Sequence, residues 1–349
     1  MTSMQRVLTA LGHKEPDRVP FFLSFTMHGA KELGLSVREY FSRAENVAEG
    51  QLRVSRKFSN DCVNGYFYAP IEIEAWGGEV VFRDDGPPNS GEPFIKKHED
   101  ILRLTPPDVR QSKCLLKALD AQRIMKEKVG DDIPIVGAVI SPFSFAIMQM
   151  GFDKHIELIY EHEGLFEHLM SVNEEFCVQW ANAQIDAGCS AIAYVDPMSS
   201  PTLIDKDLYI RTGHRIAQRT LPRIKGSTAT HFAAGRCYPI LEYILQTGTS
   251  AIAVSVLENL QAIKNVCKGR ATVIGNLNGI EMRRWSQADA TRLVKEAIAK
   301  AGKGGGFILS DNHGEIPLQV PDDVLYAIAD AVKEWGRYPL EWLQDDGSN

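Results

Sequence analysis

The side chains in this chain that could do chemistry fall where short apolar runs end. His231 follows one run, and Asp311-Asn312-His313-Gly314-Glu315 follows another. Asp196 precedes Pro197 at the end of a third, and Asn276 and Asn278 close a fourth. Thr26, His28, Asn64, Tyr66, Ser141-Pro142-Phe143, Met198, Ser255 and Glu258 have comparable positions. Taken singly, each has an ordinary reading: Asp before Pro starts turns, Asn-x-Asn is turn chemistry, and a histidine after a strand caps a loop. Gathered at one end of a sheet, imidazoles, amides and carboxyls would form a site able to move protons and hydrogen-bond a small molecule.

The elements that would gather them are β/α units. Runs 133–139, 191–195, 251–256, 271–274 and 306–309 are too short, and too rich in Ile, Val and Ala, to stand as helices, and they read as buried parallel strands. Amphipathic stretches lie between them. Ser286-x-x-Asp289 opens one, with Ala290, Leu293, Val294, Ala297, Ile298 and Ala301 at helical spacing and Gly302 at its end. Runs 21–25, 62–67 and 223–228 bring the strands to the eight that close a barrel, whose chemistry sits at the C-terminal ends of its strands. Segment 71–97, with Trp76-Gly77-Gly78 and Asp85-Gly86-Pro87-Pro88, breaks the rhythm and reads as an inserted hairpin and loop. The fold expected is α/β: a single (β/α)8 TIM barrel over residues 1–349, with an N-terminal helical extension and the hairpin inserted after the second strand.

Composition narrows the partners. An excess of 45 acidic over 38 basic residues, net -7, disfavours nucleic acid and anionic membrane faces and points to a small molecule or a protein. No apolar run reaches membrane length and the N-terminus is not signal-like, so a cytoplasmic protein is expected. The six cysteines are scattered without a Cys-x-x-Cys pair, which suggests neither a disulfide framework nor a zinc knuckle. No Gly-x-Ser-x-Gly elbow or His-Glu-x-x-His helix occurs, and the glycines of 302–306 lead into a strand rather than from a strand into a helix.

Several motifs carry a resemblance that covers nearly the whole chain: Arg6-Val7-Leu8-x-Ala10-Leu11-x3-Glu15-Pro16-Asp17-Arg18-Val19-Pro20, Ala75-Trp76-Gly77-Gly78-Glu79-Val80, Ser141-Pro142-Phe143-Ser144-Phe145 with Gly151, Ala187-Gly188 to Asp196-Pro197, Gly275-Asn276-Leu277 and Gly304-Gly305-Gly306-Phe307-Ile308-Leu309-Ser310. The chain resembles the uroporphyrinogen-decarboxylase-like superfamily. Within it, the likeness is to the methyltransferase branch of methylcobamide:coenzyme M methyltransferases and corrinoid-dependent O-demethylase methyltransferases. The decarboxylase branch carries Arg-Gln-Ala-Gly-Arg near its start, where this chain has Thr26-Met27-His28-Gly29-Ala30-Lys31, and its tyrosine falls on Met148. A polycarboxylate substrate would lose its bidentate anchors.

The resemblance also implies a zinc site. The methyltransferase branch binds zinc through a His-x-Cys and a Gly-Cys-Gly turn; here those positions read His231-Phe232-Ala233 and Asn312-His313-Gly314-Glu315. His231 and His313 with a carboxylate, Glu315 or else Asp311 or Glu258, would make a harder site, suited to polarising an oxygen or nitrogen rather than activating a thiolate. The expectation is therefore a methyltransferase that removes an O- or N-methyl group from a small substrate and passes it to the cobalt of a separate corrinoid protein. His231 and His313, with or without zinc, would activate the leaving atom, and Asp196 would orient a histidine or the substrate. His28, Asn64 and Asn276 would bind substrate, with Tyr66, Phe143 and Met198 as apolar walls. The absence of an Asp-x-His-x-x-Gly signature puts the corrinoid on a partner, and a monomer or homodimer is expected. Methylcobalamin:thiol transfer, a porphyrinogen decarboxylase, and a non-catalytic tetrapyrrole- or corrinoid-protein-binding subunit are the alternatives.

Overall fold

The computed structural model describes residues 1–312 and 315–343. Among these residues nine strands are formed: β1 (Val63–Asn64), β2 (Val80–Val81), β3 (Asn89–Ser90), β4 (Ile135–Ile140), β5 (Ala191–Val195), β6 (Ser227–His231), β7 (Ala251–Ala253), β8 (Thr272–Leu277) and β9 (Phe307–Asp311). Seven of them make one parallel sheet in the order β1-β4-β5-β6-β7-β8-β9, so each strand of the sheet lies beside its successor, as βαβ crossovers dictate. Registers such as Ile140↔Val195↔His231↔Ala253↔Ile274 align the strand ends.

Segment 21–25 forms no regular strand but occupies the place of one. It bridges Phe21 to Leu309 of β9 on one side, while the Phe21 carbonyl accepts from the Asp61 N–H on the other. Between these, Leu23 donates its N–H to Asn60 Oδ1 instead of to a strand carbonyl, which explains why the ladder is interrupted there.

Two other expectations shift. The strand expected at 223–228 begins only at Ser227, because Leu221–Arg223, with Pro222 inside it, continues the preceding helix as a tight turn. His231 is therefore the last residue of β6 rather than a residue of the following loop. Likewise β8 runs on to Leu277, which places Asn276 inside the strand. In segment 71–97, Ile71–Ala75 is a short helix, and β2 and β3 pair antiparallel with Val80 opposite Ser90. The six cysteines are buried and free, as small core residues. Among the described residues no helix is long and apolar enough to cross a membrane.

The opening motif has a structural task. Helix Ser3–Leu11 starts with a capping box between Thr2 and Gln5 and lies under the sheet. Arg6 grips Asp17 (Nε to Oδ1, 2.7 Å) and buried Asp61 (Nη1 to Oδ1, 2.6 Å), and Arg18 meets Asp61 at 2.7 Å. Asp61 Oδ2 also accepts the Phe21 N–H at 2.8 Å. Two guanidinium groups and a backbone donor thus compensate one buried carboxylate, and together they lock helix, segment 21–25 and β1.

Inside the sheet the side chains are small. Barrel interiors are ordinarily filled by Val, Ile and Leu, whereas Ala138, Ala191, Ala193, Ala229, Ala251 and Ala253 face the axis here, beside Val136, Val195, Ile274 and Ile308, and leave a cavity of about 200 Å³. Met4, Val7, Leu8 and Leu11 of the first helix cover its lower end.

Candidate active site

The upper end of this cavity, at the C-terminal ends of the strands, is where polar groups collect. Ser24, Thr26, Asn64, Tyr66, His231, Ser310, Asp311 and Glu315 line it. Asp311 closes β9, and its Oδ1 accepts the Ser24 N–H at 2.9 Å, which ties segment 21–25 to the last strand. Its other oxygen is buried and has no partner among the described residues. Glu315 resembles it, with Oε2 buried and without a partner among the described residues. Burial in apolar surroundings penalises the charged form, so both carboxyls are raised, each to about 7. Near neutral pH they are poised acids. Tyr66 is pushed well above the ordinary phenol range, first by burial and then by the nearby charge of Glu315, so it remains a hydroxyl donor.

His231 completes the group. Its Nδ1 accepts the Ala233 N–H at 2.9 Å, an arrangement that holds Ala233 at φ 50° in the left-handed region. Desolvation lowers the imidazole to about 4, so it is neutral, and since Nδ1 is an acceptor the proton sits on Nε2. His231 is therefore a second kind of donor at the cavity.

That proton placement bears on zinc. A neutral imidazole whose Nδ1 is taken by a backbone N–H has no lone pair on Nε2 for a metal, and the residue two positions on is Ala233, with no ligand atom. Glu258, a candidate third ligand, is consumed by the 237–238 turn, accepting the N–H groups of Cys237 (3.0 Å) and Tyr238 (2.9 Å). His313 lies outside the described residues. Among the described residues, the His, Cys, Asp and Glu trio at ligand spacing is elsewhere, at His98, Glu157 and His162. The described donors at the cavity do not fit a zinc ion.

Five expected site residues are not brought to this cavity. Asp196 orients no histidine; its Oδ1 takes the hydroxyls of Ser141 (2.5 Å) and Ser144 (2.7 Å), and so pins the end of β5 to the helix Pro142–Met150. Phe143 is fully buried against His155 and Phe166, with ring centroids 5.0 and 6.3 Å away, and Met198 is buried in the same core. His28 is buried beneath the helix His28–Leu33, edge-on to Phe25 at 4.9 Å, and burial lowers its imidazole to about 3. Asn276 donates to the Ser255 carbonyl at 3.1 Å and borders a different cleft, shared with Glu258 and Asn278. Asn64, Tyr66, His231 and Glu315 do meet in the cavity. Asp311 was visible in the sequence only as one possible ligand; its role as an acid depends on burial.

The chain matches the uroporphyrinogen decarboxylase (URO-D) family over residues 2–335. It belongs to that family. Among its relatives, methylcobamide:CoM methyltransferase MtaA of Methanosarcina barkeri is 26% identical over 335 residues, covering 94% of this chain and 97% of the relative. A uroporphyrinogen decarboxylase of Ralstonia pickettii is 24% identical over 285 residues, 76% of this chain and 75% of its own. Among solved structures, a methyltransferase from Methanosarcina mazei superimposes with a TM-score of 0.85 at 24% identity, over 96% of this chain and 99% of that one. The family's fold thus extends over essentially the full length, in agreement with the parallel sheet described above.

The lining distinguishes between the two kinds of relative. No Lys or Arg is among the described residues around the cavity. Lys31, in the segment where decarboxylases carry arginines, pairs with Asp322 at 2.7 Å. A polycarboxylate would find no cation there, and would meet two carboxyls.

Proposed function

We propose that this protein is a corrinoid-dependent methyltransferase that demethylates a small, largely apolar substrate carrying an O- or N-methyl group. The observation that carries this reading is the pair of buried carboxyls, Asp311 and Glu315, each raised to about 7, with one oxygen unpartnered among the described residues, at the wall of an apolar cavity. An alkoxide or amide anion is a poor leaving group, and a proton delivered as the methyl bond breaks removes that obstacle. A reduced corrinoid, carried by a separate protein, supplies the nucleophile that takes the methyl group.

The chain's own residues do the rest. The alanine-lined bore holds the apolar body of the substrate with the heteroatom uppermost. Asp311 or Glu315 gives its proton to that oxygen or nitrogen, which keeps the bonding pair. The Nε2–H of His231 and the Tyr66 hydroxyl orient the heteroatom by hydrogen bonds, and Asn64, which donates weakly to the Leu23 carbonyl at 3.4 Å, adds a polar wall. The helix under the sheet excludes water from below.

The second reading, methyl transfer to a thiol, is favoured by the name of the Methanosarcina barkeri relative. The two are separated by supplying the protein with cob(I)alamin and a panel of methoxy- and methylamino-aromatics, and separately with methylcobalamin and a thiol. Demethylated product in the first assay is the expected result. Methylated thiol alone would overturn the proposal in favour of the second reading.

A further inference from the structure

A cluster remote from the cavity has the composition of a metal site. His98 opens the short helix His98–Arg103, just beyond the β2–β3 pair. Glu157 lies on the helix Phe152–Glu161, and His162 is the single residue between that helix and the next, Glu163–Asp186. One ligand atom from each lies within 4.8 Å of the others. The two imidazole rings are 4.7 Å apart and inclined by 54°, so they are neither stacked nor hydrogen-bonded to each other.

The hydrogen-bond geometry at His98 is the one a ligand requires. Its Nε2 meets the Lys154 carbonyl at 3.3 Å; a carbonyl only accepts, so Nε2 carries the hydrogen. Nδ1 makes no hydrogen bond to the described residues, and it faces Glu157 Oε1 at 3.9 Å. A histidine oriented by a backbone carbonyl through one nitrogen and free at the other is the usual arrangement around bound metals, and it is the reverse of what His231 shows. We propose that His98, Glu157 and His162 bind a divalent transition-metal ion, with zinc the best match.

The chemistry selects the ion. Two imidazoles and one carboxylate suit zinc, and a tetrahedral ion would keep one position for water; magnesium and calcium prefer all-oxygen sites. Ligands about 2.0–2.1 Å from a tetrahedral zinc are roughly 3.4 Å apart, so the cluster has to contract by about 1 Å. Glu157 can supply that movement, being 49% exposed on a helix surface, whereas His98 is 13% exposed and held. The bound ion would clip the segment before residue 98, already tied down by the Ile95 N–H to the Gln149 carbonyl, to the corner between two helices. Its role is structural, and it is independent of the chemistry proposed for the cavity.

The test is zinc titration of the chelator-stripped full chain at pH 7.5, read by competition with a chromophoric chelator and by the shift in Tm, with magnesium as control. Zinc is expected to bind and to raise Tm by a few degrees. His98→Ala and His162→Ala are expected to lose that binding and that shift, and the surface change Glu157→Gln, which leaves the fold untouched, to weaken binding at least tenfold. His231→Ala is expected to retain both. No zinc binding by the wild-type chain, undiminished binding in Glu157→Gln together with either histidine variant, or loss in His231→Ala would each overturn the proposal.

Discussion

Replacing Asp311 by Asn tests the acid at the cavity without touching any substrate. The amide keeps the acceptor for the Ser24 N–H and nearly the same volume, so the fold has no steric reason to change. In the wild type the folded carboxyl sits at about 7 against an ordinary 3.8. A raised carboxyl binds its proton more tightly in the folded state, so its contribution to stability is whole below pH 3.8 and is lost as pH rises through 7. Linkage puts the loss at about 2 kcal/mol by pH 5 and about 4 kcal/mol by pH 8. Asn has no charge to desolvate, though its amide group replaces the unpartnered oxygen and costs about 1–3 kcal/mol at every pH. That constant cost cancels when two pH values are compared. The stability of Asp311→Asn relative to wild type should therefore improve by about 2–3 kcal/mol between pH 5 and pH 8, measured by urea unfolding at both. A difference that does not change with pH would show that the carboxyl titrates normally, and the proposed acid would fall with it.

The remaining expectations concern the same site and its support. Methyl removal should be flat below neutrality and fall about tenfold per pH unit well above pH 7, with Asp311→Asn or Glu315→Gln lowering kcat/KM by roughly 10²–10⁴-fold; full activity in both single variants would remove them from the mechanism. Ala229→Val narrows the bore, and is expected to raise KM for a bulky substrate while Tm holds or rises; unchanged KM would show that substrate stays above that level. Asp61→Ala leaves Arg6 and Arg18 without their shared carboxylate and should cost about 3–5 kcal/mol in urea unfolding, whereas a loss below 1 kcal/mol would mean the cluster is compensated by water.

Much of this protein was determined by local sequence. Apolar runs too short for helices, separated by amphipathic stretches, specify parallel β/α units, because a strand buried on both faces has to be apolar throughout and its crossover has to cover it. The capping box at Ser286 and Asp289 gives the helix Gln287–Ala301 directly, since the cap is made by neighbours in the chain. That His231 and Glu315 lie at the C-terminal ends of strands also follows from this rhythm. Which side chains meet could not be read in the same way. Asp196 and Asp311 each end a strand, and nothing in their neighbouring residues says that one is consumed by two serines while the other keeps a free oxygen at a cavity. Phe143 and Met198 look like pocket walls but pack into the core, because a hydrophobic side chain goes wherever burial is greatest. The bore depends on alanines from four strands, β4 to β7, facing one axis, and the raised acids depend on the desolvation that this enclosure imposes. Burial and its electrostatic consequences are properties of the closed sheet as a whole, which is why only the tertiary structure decided them.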